Sequence, residues 1–249
     1  MNPFDYDLHT HTAFSDGRSP VKDMVNAALA NDVKGFVLAD HVFSNEGAEK
    51  LLADYAGCNR DASPVPYLFG CETAVFDESG VPCARPELLQ KFELVLMDCN
   101  GILFRKLDTT QSPEKLRDIL CETMIRACDH PEVAIMAHPF NFGLTPLNLT
   151  LDLFDNARVE KIAEAFKANG KIFEIMNQMY FWHGNAAFAD FHREYMRILR
   201  IFKAAGVKFS IGSDTHSCCG MGCFRWSQRA ATELGVENDL FVPQVLIKE

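Results

Sequence analysis

The sequence predicts a parallel α/β architecture, most economically a closed barrel, and three observations predict it. Seven short apolar runs of strand length recur along the chain. Amphipathic segments with readable ends lie between them. Residues able to bind metal follow one run after another, as they do where strand C-termini share one face of an α/β barrel. An open doubly wound sheet is the alternative, but the chain lacks the G-x-G-x-x-G turn of its dinucleotide-binding version. A length of 249 residues suits one domain spanning 1–249.

The strand candidates are 6–8, 35–39, 67–70, 94–97, 133–137, 172–176 and 208–212, each mostly apolar, as strands buried on both faces must be. Ser19-Pro20 reads as an N-cap followed by proline at the first helical position, with Val21, Met24, Ala28 and Leu29 as the apolar stripe. Ser112-Pro113 repeats this start before Leu116, Ile119, Leu120 and Met124. Val159, Ile162, Ala163 and Phe166 run to a stop at Gly170. Phe188, Phe191, Tyr195, Ile198, Leu199 and Phe202 do the same before Gly206.

Composition removes several function classes. With 34 acidic against 24 basic residues the net charge is −10, which argues against broad electrostatic binding to nucleic acid or anionic lipid. No apolar run approaches the roughly 20 residues of a membrane span. Met1-Asn2-Pro3-Phe4-Asp5 lacks the pattern of a signal peptide. The nine cysteines include no C-x-x-C pair and read as reduced thiols of a cytoplasmic protein. Cys218, Cys219 and Cys223 cluster without matching a structural-zinc spacing.

The chemistry sits at the ends of the runs. After the first come Asp7-Leu8-His9-Thr10-His11 and Ser15-Asp16-Gly17, and after the second Asp40-His41. The third ends in Cys71-Glu72, the fifth in His138-Pro139 and the seventh in Asp214-Thr215-His216. Any one of these is a common loop or strand end. Five of the eight histidines, with Glu72 and Asp214, at successive strand ends read together as a metal site. Imidazole and carboxylate without thiolate suit zinc, manganese or iron at a hydrolytic centre. The candidates outnumber what one ion can use, and a carboxylate can bridge, so two or three divalent ions are expected. Such clusters lower the pKa of bound water and clamp the oxygens of a phosphoryl transfer.

These motifs, in this order and over almost the whole chain, resemble the PHP (polymerase and histidinol phosphatase) metal-dependent phosphoesterases. The resemblance implies a distorted (β/α)7 TIM-like barrel with a metal cluster at the C-terminal ends of the strands. It implies His9, His11, Asp214 and a bridging Glu72 around one ion, with Glu72 and His138 sharing a second. Asp16, His41 and His216 would hold a third, nearest the substrate phosphate. A small phosphomonoester or nucleotide-like phosphate ester would be hydrolysed through a metal-bridging hydroxide, with no covalent enzyme intermediate. One departure matters: the family's fourth-strand histidine has no counterpart in 92–100, where Asp98 or Asn100 would have to supply an oxygen.

Two other readings share parts of this pattern: an amidohydrolase-type metal-dependent C–N hydrolase, and a metal-binding PHP domain without turnover. Asp16 is the carboxylate expected to assist proton transfer. Arg18 and Arg225, sequence neighbours of the ligands, are the first choices for the substrate's oxygens, ahead of Arg105 and Lys106. Glu174 and Asn177 are candidates to support ligands. His183 lies on the ligand-bearing end, whereas His130 and His192 read as a helix exit and a solvated stripe. The excursion 76–93 is a candidate roof over the site.

Overall fold

The computed structural model of the protein describes residues 1–142 and 149–247. In chain order its elements are β1 (Tyr6–Thr10), α1 (Val21–Ala30), β2 (Gly35–Leu38), β3 (His41–Val42), α2 (Asn45–Ala56), β4 (Tyr67–Phe69), β5 (Cys71–Ala74), α3 (Pro86–Leu89) and β6 (Val95–Asp98). Then follow α4 (Gly101–Phe104), α5 (Pro113–Ala127), β7 (Ile135–Ala137), α6 (Asn156–Ala168), β8 (Ile172–Met176), α7 (Phe188–Ala204), β9 (Lys208–Gly212) and α8 (Arg225–Leu234). All named ladders are parallel, in one sheet ordered β1-β2-β4 and another ordered β3-β5-β6-β7-β8-β9. Every predicted strand is present, but the third continues past its expected end and is broken into β4 and β5. The break falls at Gly70, where a Cβ would lie 2.7 Å from the Leu94 carbonyl oxygen and from Val37 Cγ1. The first and last strands meet through backbone bonds of 2.9 Å, Asp214 N–H to His9 O and His11 N–H to Thr215 O.

Two apolar layers follow from strand alternation. Tyr6, Leu8, Val37, Leu68, Leu96, Ile135 and Ile172 pack together with Leu246, one face of nearly every strand. The alternate residues, among them Phe36, Met97, Phe173 and Phe209, pack with the helix stripes, including Met24, Leu120, Phe166 and Phe202. Fully burying each of these side chains contributes about 1.5–3 kcal/mol. Helix starts are mixed. Ser112 caps α5, accepting from Lys115 N–H. Ser19 does not cap α1: the helix begins one residue later than expected, with Pro20 at the cap, and Ser19 Oγ accepts from Cys218 N–H at 3.0 Å. Its hydroxyl ties the first strand's loop to the last strand's loop instead.

Among the described residues no helix is long and apolar enough to cross a membrane. The excursion 76–93 folds back on α5, where Arg126 and Thr123 donate to the Glu78 carbonyl. It roofs nothing in the cavity described below.

Candidate active site

Alternation alone carries some side chains to the strand ends. Glu72, Asp98 and Glu174 each lie in phase with an inner apolar residue of the same stretch: Leu68, Leu96 and Ile172. His9 and His138 do not. Leu8 packs in the inner layer, yet its neighbour His9 meets Glu174, and a regular strand sends neighbours to opposite faces. The β1–β2 register shifts between Asp7 and Thr10 and supplies the needed irregularity. His138 follows the inward-packed Ala137 and turns with φ 31°, and Asp214 has φ 52°. Side chains rarely adopt such values, and here both belong to the same cluster.

Two buried carboxylates brace the loops that carry the cluster. Asp40 accepts from Thr12 N–H, Thr12 Oγ1, Ser15 Oγ and Tyr55 OH. Asp7 accepts from Ser213 N–H and Gly222 N–H. Burial pushes the Asp7 carboxyl up to about 6, against those bonds. Neither bracing role is visible in the sequence. The only signal there is the hydroxyl pair Thr12 and Ser15 near the His9-x-His11 segment.

The cluster itself brings together all eight expected side chains. His9 Nε2 lies 3.3 Å from Glu72 Oε2 and 3.5 Å from Asp214 Oδ1. His11 Nε2 lies 3.0 Å from Asp214 Oδ1 and 3.5 Å from Glu72 Oε2. His138 Nε2 is 3.0 Å from Glu72 Oε1, and His41 Nδ1 is 3.1 Å from Glu72 Oε2. Asp16 Oδ1 faces His216 Nε2 at 3.2 Å and His41 Nε2 at 3.5 Å. Among the described residues three overlapping groups have donor atoms mutually within 4.8 Å: His9, Glu72 and His138; His9, His11 and Asp214; and His11, Asp16, His41 and His216. No cysteine joins them.

Orphaned atoms test whether a metal fits. Among the described residues, buried His9 Nε2, His11 Nδ1, His41 Nδ1 and Glu72 Oε2 have no hydrogen-bond partner. Three of the four point among the groups just named, close to oppositely charged atoms yet misaligned for hydrogen bonds. Buried polar atoms are rarely left so, and a divalent cation would satisfy them together. The residues fit the ion.

The electrostatics agree. Burial opposes the Glu72 charge, but His9, His41 and His138 hold its carboxyl well below the usual range. Burial likewise opposes a charged His41, yet Glu72 and Asp16 raise it to about 10, and Glu72 and Asp98 raise His138 to about 9. Asp16, hydrogen-bonded to His41, falls to about 2. The site favours concentrated positive charge, and a divalent ion competes with protons for the same lone pairs.

The fourth-strand position is different. Asp98 Oδ1 is 3.8 Å from His138 Nδ1, but its two oxygens also accept from Asn100 and Gly101 N–H. Burial and nearby Glu72 raise its pKa. Asn100 is buried away from the cluster, with neither side-chain polar atom hydrogen-bonded among the described residues.

A cavity of about 510 Å³ opens over the cluster. Asp16, His41, Glu72, Asp98, His138, Asp214 and His216 line it together with Phe43, Ile102, Phe104, Arg105 and Trp182. Arg105 is the cation on this lining. Arg18 and Arg225 are exposed and contribute nothing to it: Arg18 meets the site only by donating its backbone N–H to His216 O, and Arg225 opens α8. A neighbouring cavity of about 560 Å³ shares Trp182 and holds His183, but no residue of the cluster. His192 pairs with Glu233 and His130 with Glu132, both away from the cluster. Asn177 caps α8 through Trp226 N–H, and Glu174 is hydrogen-bonded to His9.

A 226-residue stretch is 29% identical to a protein of Acetivibrio thermocellus named "Probable phosphatase", covering 89% of this chain and 83% of that one. A similarly named protein of a Thermoanaerobacter species is 26% identical over 240 residues, covering 94% and 88%. In fold the chain is similar to the histidinol phosphate phosphatase of Lactococcus lactis, solved with zinc, L-histidinol and phosphate. That match has a TM-score of 0.60 at 14% identity and covers 92% of this chain and 93% of the other. The PHP domain family matches residues 7–213, a stretch that starts just before His9 and ends just before Asp214. On that match, the chain belongs to the PHP domain family.

Proposed function

We propose that the chain is a metal-dependent phosphoesterase acting on a small phosphomonoester. The observation that carries this is the set of three overlapping histidine–carboxylate groups, with orphaned donor atoms among them, beneath one cavity. Family membership and the names of the relatives support it.

His9, His11, Glu72 and Asp214 would hold one ion, Glu72 and His138 a second, and Asp16, His41 and His216 a third, so two or three are the natural count. Divalent zinc, manganese or iron supplies there a lowered pKa for bound water and neutralisation of phosphoryl charge. The chain's residues do the rest. Arg105, with no acidic partner among the described residues, offers its guanidinium to non-bridging oxygens. Phe43, Ile102, Phe104 and Trp182 exclude water and pack against the carbon part of the substrate. Asp16 is ionised at neutral pH, so it accepts a proton or orients His41 and His216.

The Lactococcus structure makes histidinol phosphate the first natural substrate to assay. Purified chain loaded in turn with zinc, manganese and iron(II) should hydrolyse p-nitrophenyl phosphate and lose that activity to a chelator. Turnover of a cyclic amide with none of the phosphate ester would overturn the reading in favour of C–N hydrolysis.

A further inference from the structure

Glu174 is buried in β8, 1% exposed. It is no member of the three candidate metal groups, yet both of its oxygens are committed to histidines that are. Oε1 lies 2.8 Å from His9 Nδ1, and Oε2 accepts the backbone N–H of His138 at 2.9 Å. The first contact places the Nδ1 proton toward Glu174 and leaves Nε2 as the lone-pair nitrogen. That nitrogen is the orphaned one, facing Glu72 and Asp214. The second contact holds the left-handed turn that swings His138 toward Glu72. Gly212 on the neighbouring strand leaves room for the pair. A Cβ there would lie 2.3 Å from Glu174 Oε1 and 2.5 Å from His9 Cβ.

We propose that Glu174 is a positioning residue for the inner metal ligands His9 and His138, and that it leaves the outer ligands Asp16, His41 and His216 untouched. The inference rests on the metal-dependent reading above. Its physical basis is that a carboxylate accepting from the far nitrogen of a ligating imidazole fixes tautomer and ring orientation and strengthens the donor. Losing such a partner typically weakens metal binding about 10–100-fold. Glu174 touches His9 and His138 and, among the described residues, none of Asp16, His41 and His216.

Glu174→Gln keeps the volume but can accept from only one of the two N–H groups, and its amide N–H₂ is turned toward the other donor. The test is competition of purified wild type and variant against a chromophoric chelator for zinc, with elemental analysis of bound metal. Wild type should show more than one class of site. In the variant the sites that use His9 and His138 should weaken about 10–100-fold while the outer class stays within about twofold. Uniform weakening of every class, or unchanged affinities, overturns the proposal. A wild type that binds no divalent ion overturns both this inference and the metal-dependent reading.

Should the variant not fold, the wild type carries the test alone. Long-range proton–nitrogen correlation on histidine-labelled, zinc-loaded protein should show His9 protonated at Nδ1 and metal-bound at Nε2. His9 bound through Nδ1 would overturn the proposal without any substitution.

Discussion

In the buried layer that floors the cluster beneath the cavity the side chains of His9, His11 and Glu72 are at most 2% exposed, whereas at the cavity's rim Asp16 is 58% exposed and His216 38%. The floor residues leave strands or the residues next to them, and buried partners hold them: Glu174 for His9 and His138, Glu72 for four histidines. The rim residues leave loops and touch mainly each other and His11. A preorganised floor fixes the geometry in which charge is stabilised, at no cost at the moment of reaction. The two regions should therefore respond differently to substitution, and that difference is testable.

The largest effect is expected at Glu72, which faces three floor histidines and, through His41, reaches the rim. Glu72→Gln keeps the shape and removes the charge that His9, His11, His41 and His138 share. Phosphatase kcat/KM should fall on the order of a thousandfold, about 4 kcal/mol of transition-state stabilisation. Steady-state kinetics at saturating metal checks this; a loss below tenfold would show that the floor does not organise the chemistry.

Next is the bracing beneath the floor. Asp40→Ala leaves Thr12 N–H, Thr12 Oγ1, Ser15 Oγ and Tyr55 OH without their acceptor. At about 1 kcal/mol per bond, less what water recovers, stability should fall by about 3 kcal/mol. Denaturant unfolding of the metal-stripped protein measures it with no contribution from bound ions. A change under about 1 kcal/mol would mean that the loop is held by its ions and not by Asp40.

The rim should be more forgiving. Asp16→Asn keeps a group able to accept from His41 and His216 but loses the charge. About a 30-fold loss of kcat/KM is expected, near 2 kcal/mol. An effect equal to that of Glu72→Gln would erase the distinction between floor and rim.

Much of this arrangement was legible in the sequence because it follows from strand endings. A parallel strand delivers its last residues to one face, so Glu72, Asp98 and Glu174 could be placed by counting in twos from Leu68, Leu96 and Ile172. His9 and His138 could be placed at that face by position but not by phase. Their approach depends on a register shift and a left-handed turn, which no periodicity announces. Arginines were harder still. Arg18 and Arg225 are close to ligands along the chain, but the cavity wall is made by the segment after β6, which brings Arg105. Nearness in sequence to a ligand says little about which loop lines the cavity over it. Ser19 shows the same limit at a helix start: its hydroxyl has a better-placed donor in Cys218 N–H, from the far end of the chain.

The smallest expected effect separates the cluster from the cavity next door. His183 is buried against Phe142 and Phe191, and burial, outweighing its bond to the Phe140 carbonyl, lowers its pKa from 6.5 to about 4. The unfolded chain then binds a proton as pH drops below about 6.5 while the folded chain does not, so stability falls with falling pH. The loss begins near the unfolded value and is complete only below the folded one. Going from about pH 7.5 to about 5.5, His183 should account for about 1 kcal/mol of destabilisation. The other titrating groups are common to wild type and His183→Asn, so the difference between their unfolding free energies across that range isolates this one. In the variant the slope should be shallower by that amount, with phosphatase activity at neutral pH within about twofold, since His183 lines the neighbouring cavity and not the one over the metal groups. Parallel stability profiles would place His183 in contact with water or an acid, and a large loss of activity would mean that the two cavities act as one site.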